Sequence, residues 1–185
     1  MILYLRGNPM RIILFAITLI FSANLYAQEF AVADIDPKNR ARAVATVRQD
    51  DCQVTMLSQN NVTEIRKKAI TIHNSSGDDY GAIYFFYDKS KQLKSLKGEI
   101  LNRHGLPIAK FSHKDFSDRS ATGQSNLFDE YRMKYYIPQV HEYPYTLVYS
   151  YEVKYNQNLS LPAWRPNYNQ EVSIEKSSYT FQHQA

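Results

Sequence analysis

Cys52 is the only cysteine in the chain and so the only possible thiol nucleophile. A working thiolate needs its pKa lowered by cations, a helix N-terminus or a histidine. Cys52 instead follows Asp50 and Asp51, whose negative charge opposes loss of the thiol proton. It also stands in the alternating run Cys52-Gln-Val-Thr-Met-Leu57, which reads as a strand, so a structural role is expected. A single cysteine excludes an intrachain disulfide and a cysteine-rich zinc site. The histidines, His73, His104, His113, His141 and His183, show neither His-x-His nor HExxH spacing, and no metal is expected. The acidic groups Asp78-Asp79, Asp115 with Asp118, and Asp129-Glu130 lack the spacing of a calcium loop. They read as solvated turns, although two carboxylates brought together by the fold would suit a small hydrolase. Phosphate loops, dinucleotide fingerprints and GxSxG elbows are missing from the sequence. The expectation is therefore no catalytic residue and no cofactor.

Two segments carry binding chemistry instead. Lys89, Lys91, Lys94, Lys97, Arg103, Lys110 and Lys114 form a basic stretch opposed by Glu99 alone. It reads first as a solvated face or protected edge strand, and second as a surface for anionic glycans or head groups. Trp164 lies in the proline-bracketed segment Leu161-Pro-Ala-Trp-Arg-Pro166. A loop closing one end of the fold is one reading of it. An aromatic face open to a sugar or a partner is the other, with Trp164, Arg165 and Tyr168 as the candidate interaction surface.

These residues must be positioned by strands. Tyr145 to Tyr155 alternates over its whole length, with Tyr145, Leu147, Tyr149, Tyr151, Val153 and Tyr155 on one face, the signature of a half-buried antiparallel strand. Cys52–Leu57 and Val62–His73 flank the polar turn Ser58–Asn61 and read as a hairpin. Further strands are expected over Leu93–Leu101, Pro107–Ser112, Arg132–Ile137, Val172–Glu175 and Ser178–Gln182, with turns at Asn74–Asp79 and His104-Gly105. Asp34-Ile-Asp-Pro37 opens one short helix within Ala31–Arg48, continued by Arg40, Ala41, Arg42, Ala43 and Ala45. Many short strands after one early helix predict an all-β protein, an antiparallel β-sandwich with a short N-terminal helix.

The start of the chain has a different purpose. Ile12 to Phe21 is an unbroken apolar run preceded by Arg11 and followed by Leu25-Tyr-Ala-Gln28. It is shorter than the roughly 20 residues of a membrane-spanning helix and reads as a signal peptide over residues 1–27, cut after Ala27, with Met10 an alternative start. The protein is then periplasmic or extracellular, with no membrane span after cleavage. Residues 28–185 remain as one domain. Arg6 and Arg11 leave with the signal, so two of the four net positive charges on the 185-residue chain are lost before it folds. The remaining charge gives no reason to expect a nucleic-acid partner. Its 44% hydrophobic content, 6 Gly and 7 Pro exclude a disordered or collagen-like chain.

Several segments together resemble a family. They are Arg66–Tyr80, Gly98-Glu-Ile-Leu-Asn-Arg-His-Gly105, Lys114-Asp-Phe-Ser-Asp118 and Tyr143–Val153. The family is the N-terminal β-sandwich domain of uncharacterised function found in secreted Gram-negative bacterial proteins ahead of a transglutaminase-like, cysteine-protease-type domain. The resemblance covers most of residues 31–182. It implies a transglutaminase-like domain as protein partner and a downstream Cys-His-Asp constellation. The chain ends at Ala185, so no catalytic residue is carried over, and Cys52 does not match the family's catalytic cysteine. The leading expectation is an exported, non-catalytic module for protein or domain interaction. A glycan-binding module using exposed Tyr and Trp is the alternative, and a small periplasmic hydrolase a third.

Overall fold

The computed structural model describes residues 29–121, 131–156, 163–165 and 170–183. The expected signal peptide, its cleavage site and Tyr168 lie outside them. The helix expected within Ala31–Arg48 covers only Pro37–Arg40. The Asp36 side chain caps it by accepting from the Lys38 amide at 3.0 Å, and Pro37 takes the first helical position, where no N–H is needed. The helix does not run on through Ala43 and Ala45, because the chain is already strand at Ala45. Val44, Thr46 and Val47 are β-branched and favour extended backbone, and Ala45, Thr46 and Val47 are fully buried.

Among the described residues ten strands follow: β1 (Ala45–Ser58), β2 (Asn61–Ile72), β3 (Ile83–Tyr87), β4 (Lys91–Leu101), β5 (Pro107–Ser112), β6 (Ser117–Ser120), β7 (Arg132–Tyr136), β8 (Tyr145–Tyr155), β9 (Val172–Ile174) and β10 (Ser177–His183). They form a large sheet in the order β10-β1-β2-β8-β4-β5, with β9 also paired to β1, and a small sheet in the order β3-β7-β6. The all-β sandwich with a short N-terminal helix is thus the observed architecture. Its edge is mixed, since β9 and β10 run parallel to β1. Parallel partners cannot be joined by a two-residue hairpin, and β9 and β10 lie far from β1 in the chain. β3 and β6, two of the three strands of the small sheet, were not among the strands expected from sequence. Ile83-Tyr-Phe-Phe-Tyr87 is apolar on both faces, and Ser117-Asp-Arg-Ser120 has no apolar residue to set a period.

The small sheet packs over part of the large one. Ile83 of β3, Tyr136 of β7 and Phe116 meet Ile70, Ile72, Leu96, Ile100, Phe111, Tyr145 and Leu147 of the large sheet, and the Phe85 ring lies edge-on to Tyr151 with centroids 6.2 Å apart. Phe111 stacks on Tyr136 with centroids 4.5 Å apart. That contact requires Gly98, because a Cβ there would collide with the Phe111 ring and lie 2.7 Å from Tyr149 Cβ. On the opposite face at this end, Thr46, Thr71 and Thr146 are fully buried. The Thr46 hydroxyl meets His73 Nε2 and Ser173 Oγ at 2.8 Å each and donates to the Asn39 carbonyl at 3.3 Å. His73 is therefore part of the packing under the N-terminal segment.

Candidate functional site

Alternate residues of one strand share a face, and along β2 the inner face reads Val62, Glu64, Arg66, Lys68, Ile70 and Ile72. The register sets a row of neighbours beside each. Lys68 lies between Asp50 of β1 and Tyr149 of β8, Arg66 between Cys52 and Tyr151, and Glu64 between Val54 and Val153. The outer strands extend the rows to Ser177, Tyr179 and Phe181 of β10 and to Gly98, Leu96 and Leu93 of β4. A charged patch thus occupies the centre of a face that is apolar at its other end.

Each carboxylate in this patch has its own donors. Asp50 accepts two bonds from the Arg66 guanidinium, Nε at 2.6 Å and Nη2 at 2.7 Å, the fork geometry that makes arginine–carboxylate pairs strong. Glu64 accepts from the hydroxyls of Tyr151 at 2.9 Å and Tyr155 at 2.6 Å. Those tyrosines stand on either side of Val153, its partner in register, so a period of two aims both at one acceptor. Burial, and the nearby Glu64, push both phenols well above their ordinary pKa and keep them protonated donors.

Two lysines complete the patch. Burial brings the Lys68 ammonium down to about 8, although Asp50 pulls the other way. The Lys91 ammonium sits 4.8 Å from the Phe85 ring centroid and 5.8 Å from that of Tyr155, a cation–π arrangement. Its pKa too is lowered by burial. A cavity of about 430 Å³ opens between the sheets here. Glu64, Arg66, Lys68, Lys91, Tyr149, Tyr151 and Tyr155 line one side of it, and the consecutive residues Ala82–Phe86, leading into and along β3, line the other.

Cys52 lies buried on the same face, 3.9 Å from Glu64 Oε1. Burial first, and the Glu64 charge second, push its thiol up to about 11. This is the direction opposite to that of an activated nucleophile. The cause differs from the sequence reading, which looked to Asp50 and Asp51. Asp50 contributes, but less than Glu64, and Asp51 turns to the other face to meet Ser178 at 2.6 Å.

Trp164 and Arg165 of the expected interaction surface are exposed, Trp164 by 41%. Trp164 Nε1 donates to Ser177 Oγ at 3.3 Å, and its ring lies 6.1 Å from that of Tyr179. Ser177 and Tyr179 are the β10 ends of the Asp50 and Cys52 rows, and Ala163 lines the cavity. The Trp164 segment therefore flanks the charged patch. The basic stretch divides: Lys94, Lys97, Lys110 and Lys114 are exposed, whereas Lys91 turns into the cleft. Asp118 gathers Tyr87, Arg132 and Lys134 at 2.6–3.0 Å. Burial would raise its pKa, but these hydrogen bonds outweigh that and hold it at about 2. Among the described residues no group of three His, Cys, Asp or Glu could hold a metal, and no helix is long and apolar enough to cross a membrane.

Glu64, Arg66 and Lys68 were not singled out by the sequence reading. Continuing the Ile70 and Ile72 face backwards along β2 in steps of two would have found them. That step places three charges on a face already assigned to the core.

Residues 58–184 match the family described as "Domain of Unknown Function with solved-structure structure (DUF3857)". No curated protein matches the chain. A solved structure from Parabacteroides distasonis, described as a "putative protease", aligns at 11% identity with a TM-score of 0.52. The alignment covers 62% of this chain and 24% of that one, so the chain spans about a quarter of that protein's length. At this identity the likeness is one of fold.

Proposed function

The chain belongs to the DUF3857 family, and from that premise we propose that it is an exported, non-catalytic module that docks onto a protein partner of the transglutaminase-like, cysteine-protease type. One observation carries the reading. A row of charged side chains stands on a sheet face that elsewhere forms the core, beside a cavity and next to the exposed Trp164. Ion pairs taken from water contribute little to stability and are often replaceable by apolar residues. A patch like this beside a cleft is a candidate for recognition. Support for the partner's chemistry comes from the resemblance and from the P. distasonis protein, in which this fold is a quarter of a longer chain described as a protease. The signal-like N-terminus supports export.

Calorimetric titration of residues 28–185 with a transglutaminase-like domain from the same genome tests the proposal. Saturable binding is expected, with no peptide cleavage or transamidation by residues 28–185 alone. Turnover that a single substitution abolishes would overturn it. Glycan binding is a second reading, favoured by the exposed Trp164 ring beside Arg165. It predicts heat on titration with cell-wall fragments and loss of that heat in Trp164→Ala.

A further inference from the structure

The strands that end the two sheets are unequally protected. At one end of the large sheet β5 carries Pro107 and Lys110. The small sheet ends at β6, four residues with Asp118 and Arg119 at its centre, and at the five-residue β3. Proline, charge and shortness are what keep an exposed edge from pairing. β10, at the other end of the large sheet, has none of these. It is the longest of these end strands, seven residues reading Ser177-Ser-Tyr-Thr-Phe-Gln-His183, without Lys, Arg, Pro, Gly or a carboxylate. Tyr, Thr and Phe favour extended pairing. Among the described residues β10 pairs with β1 alone, and Thr180 to His183 are exposed.

Pairing with β1 fixes which main-chain groups of β10 face outward. The Asp50 amide donates to the Lys176 carbonyl at 3.1 Å, and Asp50 stands beside Ser177 in the parallel register. Alternate residues bond to one neighbour, so the N–H and C=O groups of Ser177, Tyr179, Phe181 and His183 point away from the sheet. The side chains of Tyr179 and Phe181 share the inner face with Cys52 and Val54. The Phe181 ring is 42% exposed, and Trp164 lies beside Tyr179.

We propose that β10 pairs antiparallel with β10 of a second copy of this chain, about a two-fold axis at Thr180. In that register Ser177 faces His183, Ser178 faces Gln182, Tyr179 faces Phe181, and Thr180 faces the Thr180 of the other copy. The strand is complementary to itself, as a two-fold interface requires. Its four outward-facing residues are matched to one another, aromatic rings meet aromatic rings, and no like charges are opposed. Each Phe181 ring comes to lie against Tyr179 of the other copy, next to Trp164, and leaves water. Glu175 and Lys176 end the uncharged stretch on the β9 side. This self-match favours a second copy over a strand of another protein. The pairing leaves the cleft between the sheets as described and is independent of the partner proposed above.

Sedimentation velocity of residues 28–185 across micromolar concentrations tests the pairing. Twice the monomer mass is expected at the upper end, falling toward the monomer on dilution. Phe181→Pro removes an outward N–H and spares the bonds to β1; it is expected to abolish association with circular dichroism unchanged. Thr180→Lys and Thr180→Glu each set like charges face to face across the axis, and each is expected to weaken association at least about tenfold. An equimolar mixture of those two variants sets opposite charges face to face and is expected to restore association at low salt. A chain that stays monomeric at every concentration overturns the proposal. So does a dimer left intact by Phe181→Pro and both Thr180 variants, which would put the interface elsewhere. A mixture that associates no better than its components overturns the two-fold register. If the chain alone is monomeric and Phe181→Pro abolishes its binding to the transglutaminase-like domain, the edge takes a strand of that domain and self-pairing is overturned.

Discussion

Ile72 and Ile70 occupy one end of β2's inner face, and Lys68, Arg66 and Glu64 follow on the same face toward the other. At the isoleucine end the small sheet lies over the large one, and Leu147, Ile100, Phe111 and Tyr136 fill the space between them. Along the charged stretch the two sheets part around a cavity, and the charged side chains are satisfied by one another and by tyrosine hydroxyls, with a small apolar cluster of Cys52, Val54 and Val62 beside them. One strand, with one period, thus carries two chemistries. The apolar half holds the sheets together, since burying a Leu or Ile side chain contributes about 1.5–3 kcal/mol. The charged half has no comparable return, because desolvation offsets most of the attraction within an ion pair. The comparison assigns stability to one half and recognition to the other.

The sharpest break should come in the apolar half. Leu147 is fully buried, and Leu147→Ala is expected to cost about 2–5 kcal/mol in urea unfolding, leaving affinity for the transglutaminase-like domain unchanged wherever the protein stays folded. In the charged half Asp50→Ala strands the Arg66 guanidinium. The expected loss is about 2–3 kcal/mol, below the range for fully enclosed pairs, because the Arg66 side chain keeps 20% of its exposure.

Lys68 should behave in the opposite sense. Its folded pKa of about 8 lies below the ordinary lysine value of 10.5, so the unfolded chain holds this proton more tightly. Below pH 8 the buried ammonium destabilises the fold, and stability attributable to it rises as pH climbs from about 8 to 10.5. Lys68→Met is therefore expected to stabilise the protein at pH 7, by on the order of 2 kcal/mol, and to remove that rise. Cys52 works against it. Its thiol, raised to about 11 from 9.0, loses stability for the fold as pH passes from about 9 to 11. The informative quantity is thus the difference between wild type and variant in thermal melts across pH. The smallest effect belongs to Trp164→Ala, expected to change stability by under about 1 kcal/mol, since the ring is 41% exposed. A larger loss in chemical denaturation would mean that the Trp164 segment is part of the core.

Much of this fold is legible in the sequence where burial is one-sided. β8 runs from Tyr145 to Tyr155 as its alternation indicates, and the β1–β2 hairpin turns at Gln59-Asn60 between Ser58 and Asn61. Period-two reading fails for β3, apolar on both faces, and for β6, which has no apolar residue. It also cannot show that β9 and β10 return parallel to β1, because pairing partners distant in sequence leave no local pattern. For the site, the exposed Trp164 and Arg165 were accessible to composition and context. The cleft was not, because period two places Glu64, Arg66 and Lys68 on the Ile70 and Ile72 face but leaves unseen the second sheet that encloses them. Lys91 shows the same limit: six neighbours of like charge in the sequence conceal the one that turns inward.

The division between a stabilising half and a recognising half is tested most directly by replacing the buried pair with apolar residues. The triple variant Asp50→Leu, Arg66→Met and Lys68→Met removes the pair together with the buried ammonium that Asp50 also serves. A thermal midpoint equal to or above that of wild type is predicted, together with at least about tenfold weaker binding of the transglutaminase-like domain. A midpoint that falls sharply while affinity for that domain is retained would contradict the division, since the charged half would then be part of what holds the fold together.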